Sequence, residues 1–203
     1  MLDFFIVTDI IGIIAFALSG FLIGVKNRLD VLGIFIAASL TALGGGIIRD
    51  SILSSTPFAF TSFYPALTLT STIAIAYLSK IYKKASIEQK WIFVISDTIG
   101  LVAFSITGAL LAIDAGSNFF GIVVLSFITA VGGGVTRDIM INQVPTVLIS
   151  DFYGSITIIV ALCLASLEAL GYLNEISILC VSIFSILLRL FAFKKHWKLP
   201  KLS

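Results

Sequence analysis

Three consecutive glycines followed by a charged pair, Gly44-Gly45-Gly46-Ile47-Ile48-Arg49-Asp50, recur as Gly132-Gly133-Gly134-Val135-Thr136-Arg137-Asp138, and both copies sit inside long apolar stretches. Each glycine costs about 1 kcal/mol relative to alanine in a helix interior, and a charged side chain in hydrocarbon costs more. A chain that carries both costs twice must offset them by contacts or by function.

The stretches are apolar because the whole chain is: of 203 residues, 59% are hydrophobic and 12% charged. The mean hydropathy is +1.13. Soluble domains do not have this composition; it is that of an all-α integral membrane protein. Spans of about 20 apolar residues fit near 4–24, 31–50, 62–80, 91–113, 119–139, 150–170 and 175–193. Residues 1–203 then form a single membrane domain of seven transmembrane helices. The first stretch opens on Asp3 instead of a basic region and lacks a clear cleavage site, so it reads as a retained span and not a signal peptide.

Charge placement sets the orientation. Lys26, Arg28, Lys80, Lys83, Lys84, Lys90, Arg189, Lys194, Lys195, Lys198 and Lys201 fall on one side, whereas Asp3, Asp114, Glu168 and Glu175 fall on the other. Positive residues stay inside, which predicts an outer N-terminus and a cytoplasmic C-terminus in the inner (plasma) membrane. The basic cluster from Arg189 through the tail then reads as a topology determinant and solvated end, with contact to anionic membrane lipids as the second reading. Cys163 and Cys180 lie in apolar stretches and read as small buried hydrophobes.

An offset of 88 residues (97 − 9) aligns Asp9 with Asp97, Gly12 with Gly100, Ala15-Phe16 with Ala103-Phe104, Gly20 with Gly108 and Gly33 with Gly121. The match continues through Thr41-Ala42 with Thr129-Ala130, the two glycine motifs, Pro57 with Pro145 and Ser62 with Ser150. This is an internal duplication, with units at 4–80 and 91–170 and a seventh helix at 175–193 outside it. Three spans per unit make the second unit enter from the opposite side, an inverted repeat. The exchange of Lys26 and Arg28 for Asp114 and Gly116 agrees with that inversion.

Glycine permits local unwinding, so helices 2 and 5 are expected to break at Gly44–Gly46 and Gly132–Gly134. Freed carbonyls and negative helix ends would then face a cation, and the opposing N–H groups a carboxylate. The plain alternative is close helix packing through small residues. Thr41 and Thr129, one turn earlier, either add hydroxyl ligands or bond back to their own helices. Asp9 lies at the depth of Arg49, and Asp97 at that of Arg137; Asp50 and Asp138 are further partners. Such pairs hold the repeats together or act as constrictions whose arginines move when a cation passes. Asp9-x-x-Gly12-x-x-Ala15 and its copy at Asp97 put an acid and small residues on a face that meets another helix.

An intramembrane enzyme is disfavoured: the spans hold no histidine, the cysteines share no motif, and the acids match arginines. No resident metal, other cofactor or nucleic-acid partner is indicated.

The duplicated three-span unit, with Gly-Gly-Gly-x-x-Arg-Asp in each copy and a seventh span, resembles the bacterial and archaeal relatives of the trimeric intracellular cation (TRIC) channels. The resemblance covers essentially the whole chain. It implies a homotrimer with a pore in each protomer, lined by helices 2 and 5, that passes monovalent cations such as potassium, with K+ or Na+ held only transiently. The pore residues would be Gly44 to Gly46 and Gly132 to Gly134, close to Arg49, Asp50, Arg137 and Asp138. The Lys-Glu-Val motif linked with lipid binding in the animal channels is absent. Similar bacterial sequences are labelled as glycine transporters, so a secondary transporter of glycine or another small amino acid is the alternative.

Overall fold

A computed structural model describes residues 2–83, 86–149 and 152–197, leaving aside the side chains of residues 2–4, 86 and 87. Lys84, Ser150, Lys198, Lys201 and the Asp3 side chain, used in the tallies above, lie outside the described residues. The apolar stretches form α1 (Leu2–Lys26), α2 (Val31–Ile52), α3 (Phe63–Leu78), α4 (Ser86–Asp114), α5 (Phe119–Met140), α6 (Tyr153–Ala169) and α7 (Glu175–Lys194). One-turn helices, Phe58–Thr61 and Thr146–Ile149, lie ahead of α3 and α6. No strand occurs among the described residues.

α1, α2, α4, α5 and α7 are long and apolar enough to cross a membrane. α3 and α6, with 16 and 17 residues, reach only about 24–26 Å at 1.5 Å per residue, short of the ~30 Å hydrocarbon layer.

The helix starts follow from local chemistry. Asp30 caps α2 by accepting from the Gly33 N–H at 2.7 Å, and Asn118 caps α5 by accepting from the Gly121 N–H at 2.9 Å. Each cap satisfies one of the N–H groups that a helix leaves unpaired at its start. α7 opens with a reciprocal box between Asn174 and Ser177.

Two crossings make the core. α1 packs on α4, where Phe16 and Phe104, matched by the 88-residue offset (104 − 16), meet at a tilt of 33° with ring centroids 5.3 Å apart. α2 packs on α5; α3 lies on α1, α6 on α4 and α5, and α7 on α4 and α6. α4 is buried around its circumference at Leu101, Val102, Phe104, Ser105, Ile106 and Thr107, the pattern of a central helix. The outer surface is apolar instead of charged: Phe63 is 87% and Ile176 75% exposed, which fits contact with lipid.

Two expectations are corrected here. Cys180 is exposed and Cys163 only half-buried, because their helix faces turn toward the apolar exterior. Arg189 does not belong to a solvated basic cluster: it is 6% exposed, since the α7 stripe Ile178, Val181, Ser185, Arg189 and Ala192 faces the protein.

Candidate functional site

α2 and α5 cross at their glycine triplets with backbones in contact. A Cβ on Gly45 would strike the Thr129 carbonyl oxygen, a Cβ on Gly133 the Thr41 carbonyl oxygen, and a Cβ on Gly44 would lie 3.1 Å from the Gly133 Cα. Both helices nevertheless run unbroken through Gly44–Gly46 and Gly132–Gly134. The expected breaks are therefore corrected. The physical reason is that missing side chains let two helices meet backbone to backbone, and that packing offsets the ~1 kcal/mol per glycine. Carbonyls within an intact helix remain bonded to their own ladder.

The third glycine of each triplet does something else. A Cβ on Gly46 would meet only Arg49 Nη2 at 3.7 Å, and one on Gly134 only Arg137 Nη2 at 3.8 Å. Each arginine lies back over the preceding turn of its own helix. Thr41 and Thr129 donate to Ala37 O and Leu125 O, both at 2.6 Å, so their hydroxyl protons are committed to their own helices. Gly20 and Gly108 make room for them: a Cβ on either would come within 2.6 Å of the facing threonine Oγ1.

The arginines are among the most buried side chains, at 1% exposure for Arg49 and 2% for Arg137. Arg49 Nε donates to Asp50 Oδ1 at 2.7 Å and Arg137 Nε to Asp138 Oδ1 at 2.9 Å. The other carboxylate oxygen of each aspartate receives the chain that follows. Asp50 Oδ2 accepts from Phe58 N at 2.9 Å, and Asp138 Oδ2 from Thr146 N at 2.8 Å and Thr146 Oγ1 at 2.9 Å. Each aspartate thus joins its arginine to the one-turn helix beyond Pro57 or Pro145. A burial this deep requires pairing of this kind.

Beyond these shared contacts the two halves differ. Asp9 Oδ1 lies 3.5 Å from Arg49 Nη1. Among the described residues no such ion pair within 4.0 Å joins Asp97 and Arg137, which corrects the expected direct match. Asp97 instead accepts from Ser19 Oγ at 2.9 Å, with the Tyr153 side chain, Arg137 and Arg189 as its other polar neighbours. Local donors satisfy the carboxylate, so it does not need the guanidinium. Arg137 Nη1 reaches Thr41 Oγ1 on α2 at 3.3 Å, whereas Arg49 Nη1 reaches Thr107 Oγ1 on α4 at 3.3 Å.

Ser19, Thr107, Tyr153 and Arg189 were not singled out from sequence as site residues. The first two carried a signal: they align under the repeat offset and each precedes a matched glycine, Gly20 or Gly108. Tyr153 aligns with Pro65 (153 − 65 = 88), and Arg189 lies outside the repeat, so neither had a duplicate to mark it. Free space at the site is small, a cavity of about 10 Å³ bordered by Asp9, Gly46, Arg49, Asp50, Pro65 and Phe104.

A sequence model of a family described as Glycine transporter matches residues 6–80 and again 94–169. A UPF0126 membrane protein of Deinococcus radiodurans is 39% identical over 144 residues, which are 69% of this chain and 64% of that protein. The UPF0126 membrane protein YvgT of Bacillus subtilis is 31% identical over 199 residues, covering 96% of this chain and 95% of its own. Among solved structures, one described as the crystal structure of a prokaryotic TRIC channel in 0.5 M KCl superposes with a TM-score of 0.87 at 31% identity, covering 98% of this chain and 100% of that one.

Proposed function

The chain belongs to the membrane-protein family described as Glycine transporter, with the prokaryotic TRIC channels among its structural kin, and from that membership we propose that it is a monovalent cation channel permeable to potassium. Conduction runs inside each protomer along α2 and α5, past Thr41 and Thr129, the glycine crossing and the clusters Asp9–Arg49–Asp50 and Asp97–Arg137–Asp138. The helices form two inverted three-helix repeats, 4–80 and 91–170, and α7 completes a seven-span protomer with its N-terminus outside, in the inner membrane. Three protomers assemble, with lipid against the apolar exterior.

The observation that carries this reading is the pair of buried Arg–Asp clusters flanking the α2–α5 crossing. Ionisable groups this deep in a membrane domain mark ion pathways by default. A cavity of about 10 Å³ holds roughly one water, so the conformation described is shut there. A cation passes when the arginines swing aside or α2 and α5 part, and weak successive contacts let it leave again.

The family description favours glycine transport as a second reading. Purified protein in a planar bilayer with a potassium gradient separates the two. Discrete current steps reversing near the potassium potential, unaffected by glycine, are the expected result. A silent bilayer together with saturable glycine uptake into liposomes would replace the channel by the transporter.

A further inference from the structure

The two halves of the site treat their first aspartate differently, and the difference traces to α6 and α7. In the outer half Pro65 occupies the position matched to Tyr153; among the described residues Asp9 Oδ1 is buried without a hydrogen bond, with Arg49 Nη1 3.5 Å away. In the inner half Ser19 holds Asp97, and Tyr153 stands beneath Arg189, whose Cζ lies 5.2 Å from the ring centroid. Both Tyr153 and Arg189 are 6% exposed. Arg189 comes from the helix outside the duplication, so the outer half has no counterpart of this support.

We infer that Tyr153 and Arg189 are positioning residues for the inner arginine: they keep the Asp97 carboxylate away from Arg137, leaving Arg137 to tie α5 to α2 at Thr41. The cation–π contact fixes the phenol ring beside Asp97, Ser19 holds the carboxylate from the other helix, and the guanidinium of Arg137 is left to bridge the crossing. Arg49 makes no such bridge, since its matching nitrogen ties α2 to α4 at Thr107. A change at α7 therefore reaches the α2–α5 crossing through the inner half only.

This inference rests on the conduction reading for its effect and on the contacts alone for its structure, so two measurements are paired. In single-channel records, Tyr153→Phe is expected to raise open probability several-fold at unchanged unitary conductance, as Asp97 draws Arg137 off Thr41. Arg189→Met should act the same way, and Arg189→Lys should restore the wild-type open probability. A folded Tyr153→Phe protein with wild-type or lower open probability would overturn the gating effect. In thermal unfolding, the midpoint loss caused by Tyr153→Phe should vanish in an Asp97→Asn background. Additive losses would overturn the positioning contact itself, and this second measurement decides it even if the wild-type protein passes no current.

Discussion

Gly45→Ala and Gly133→Ala are expected to abolish stable folding, while Gly46→Ala and Gly134→Ala leave the protein folded. One methyl group separates each pair of outcomes. At Gly45 and Gly133 the new carbon would collide with a backbone carbonyl of the facing helix, of Thr129 and Thr41 respectively. Backbone cannot swing away as a side chain can, so α2 and α5 would have to separate. The cost then reaches or exceeds the upper end of ordinary overpacking, about 3 kcal/mol. At Gly46 and Gly134 the nearest obstacle is an arginine terminus at 3.7 or 3.8 Å, an ordinary contact. Alanine there also gains up to about 1 kcal/mol of helix propensity. Gly44 is intermediate, with a Cα of the other helix at 3.1 Å. Recovery of monodisperse protein and its thermal midpoint in detergent measure the series. Equal tolerance at all positions would mean that the helices do not touch there.

The second large effect belongs to the Asp9–Arg49 ion pair. Arg49→Gln leaves Asp9 and Asp50 facing each other in an interior from which Arg49, at 1% exposure, had excluded water. Removing one partner of a buried pair costs about 3–5 kcal/mol. Exchanging the charges, Asp9→Arg with Arg49→Asp, should give a protein that unfolds at a higher temperature than either single variant. Full recovery is not expected. Asp50 also receives the Arg49 Nε at 2.7 Å, and the exchange would place two carboxylates side by side on α2. If the double variant is no better than the worse single one, the 3.5 Å approach of Asp9 and Arg49 contributes nothing to stability.

The arginines and their neighbouring aspartates were legible as a buried, paired cluster and a candidate site because duplication marked them twice. Asp50 and Asp138 had a further legible role: each accepts a backbone N–H eight residues on, at Phe58 and Thr146 (58 − 50 and 146 − 138). That equal spacing stands in the sequence beside two matched prolines. Ser19 and Thr107 were similarly within reach. Tyr153 and Arg189 were not, since periodicity and duplication say nothing of a residue that departs from its own repeat. Arg189 also lies near the basic tail, where a charge count cannot tell a buried arginine from a solvated one.

Sequence alone determined the helical class and the duplicated charged motifs, together with the Asp9–Arg49 pairing and the family resemblance. Each of these depends on the chain's own composition and repeats, which are local or copied properties. The tertiary structure decided whether the glycine helices break, whether Asp97 takes Arg137, and which face of α7 is buried. A glycine run costs the same energy whether its helix unwinds or packs, and the choice turns on what lies opposite. For Gly45 and Gly133 the opposing group is a backbone carbonyl of a helix some 88 residues away (133 − 45), which no local reading of α2 or α5 contains.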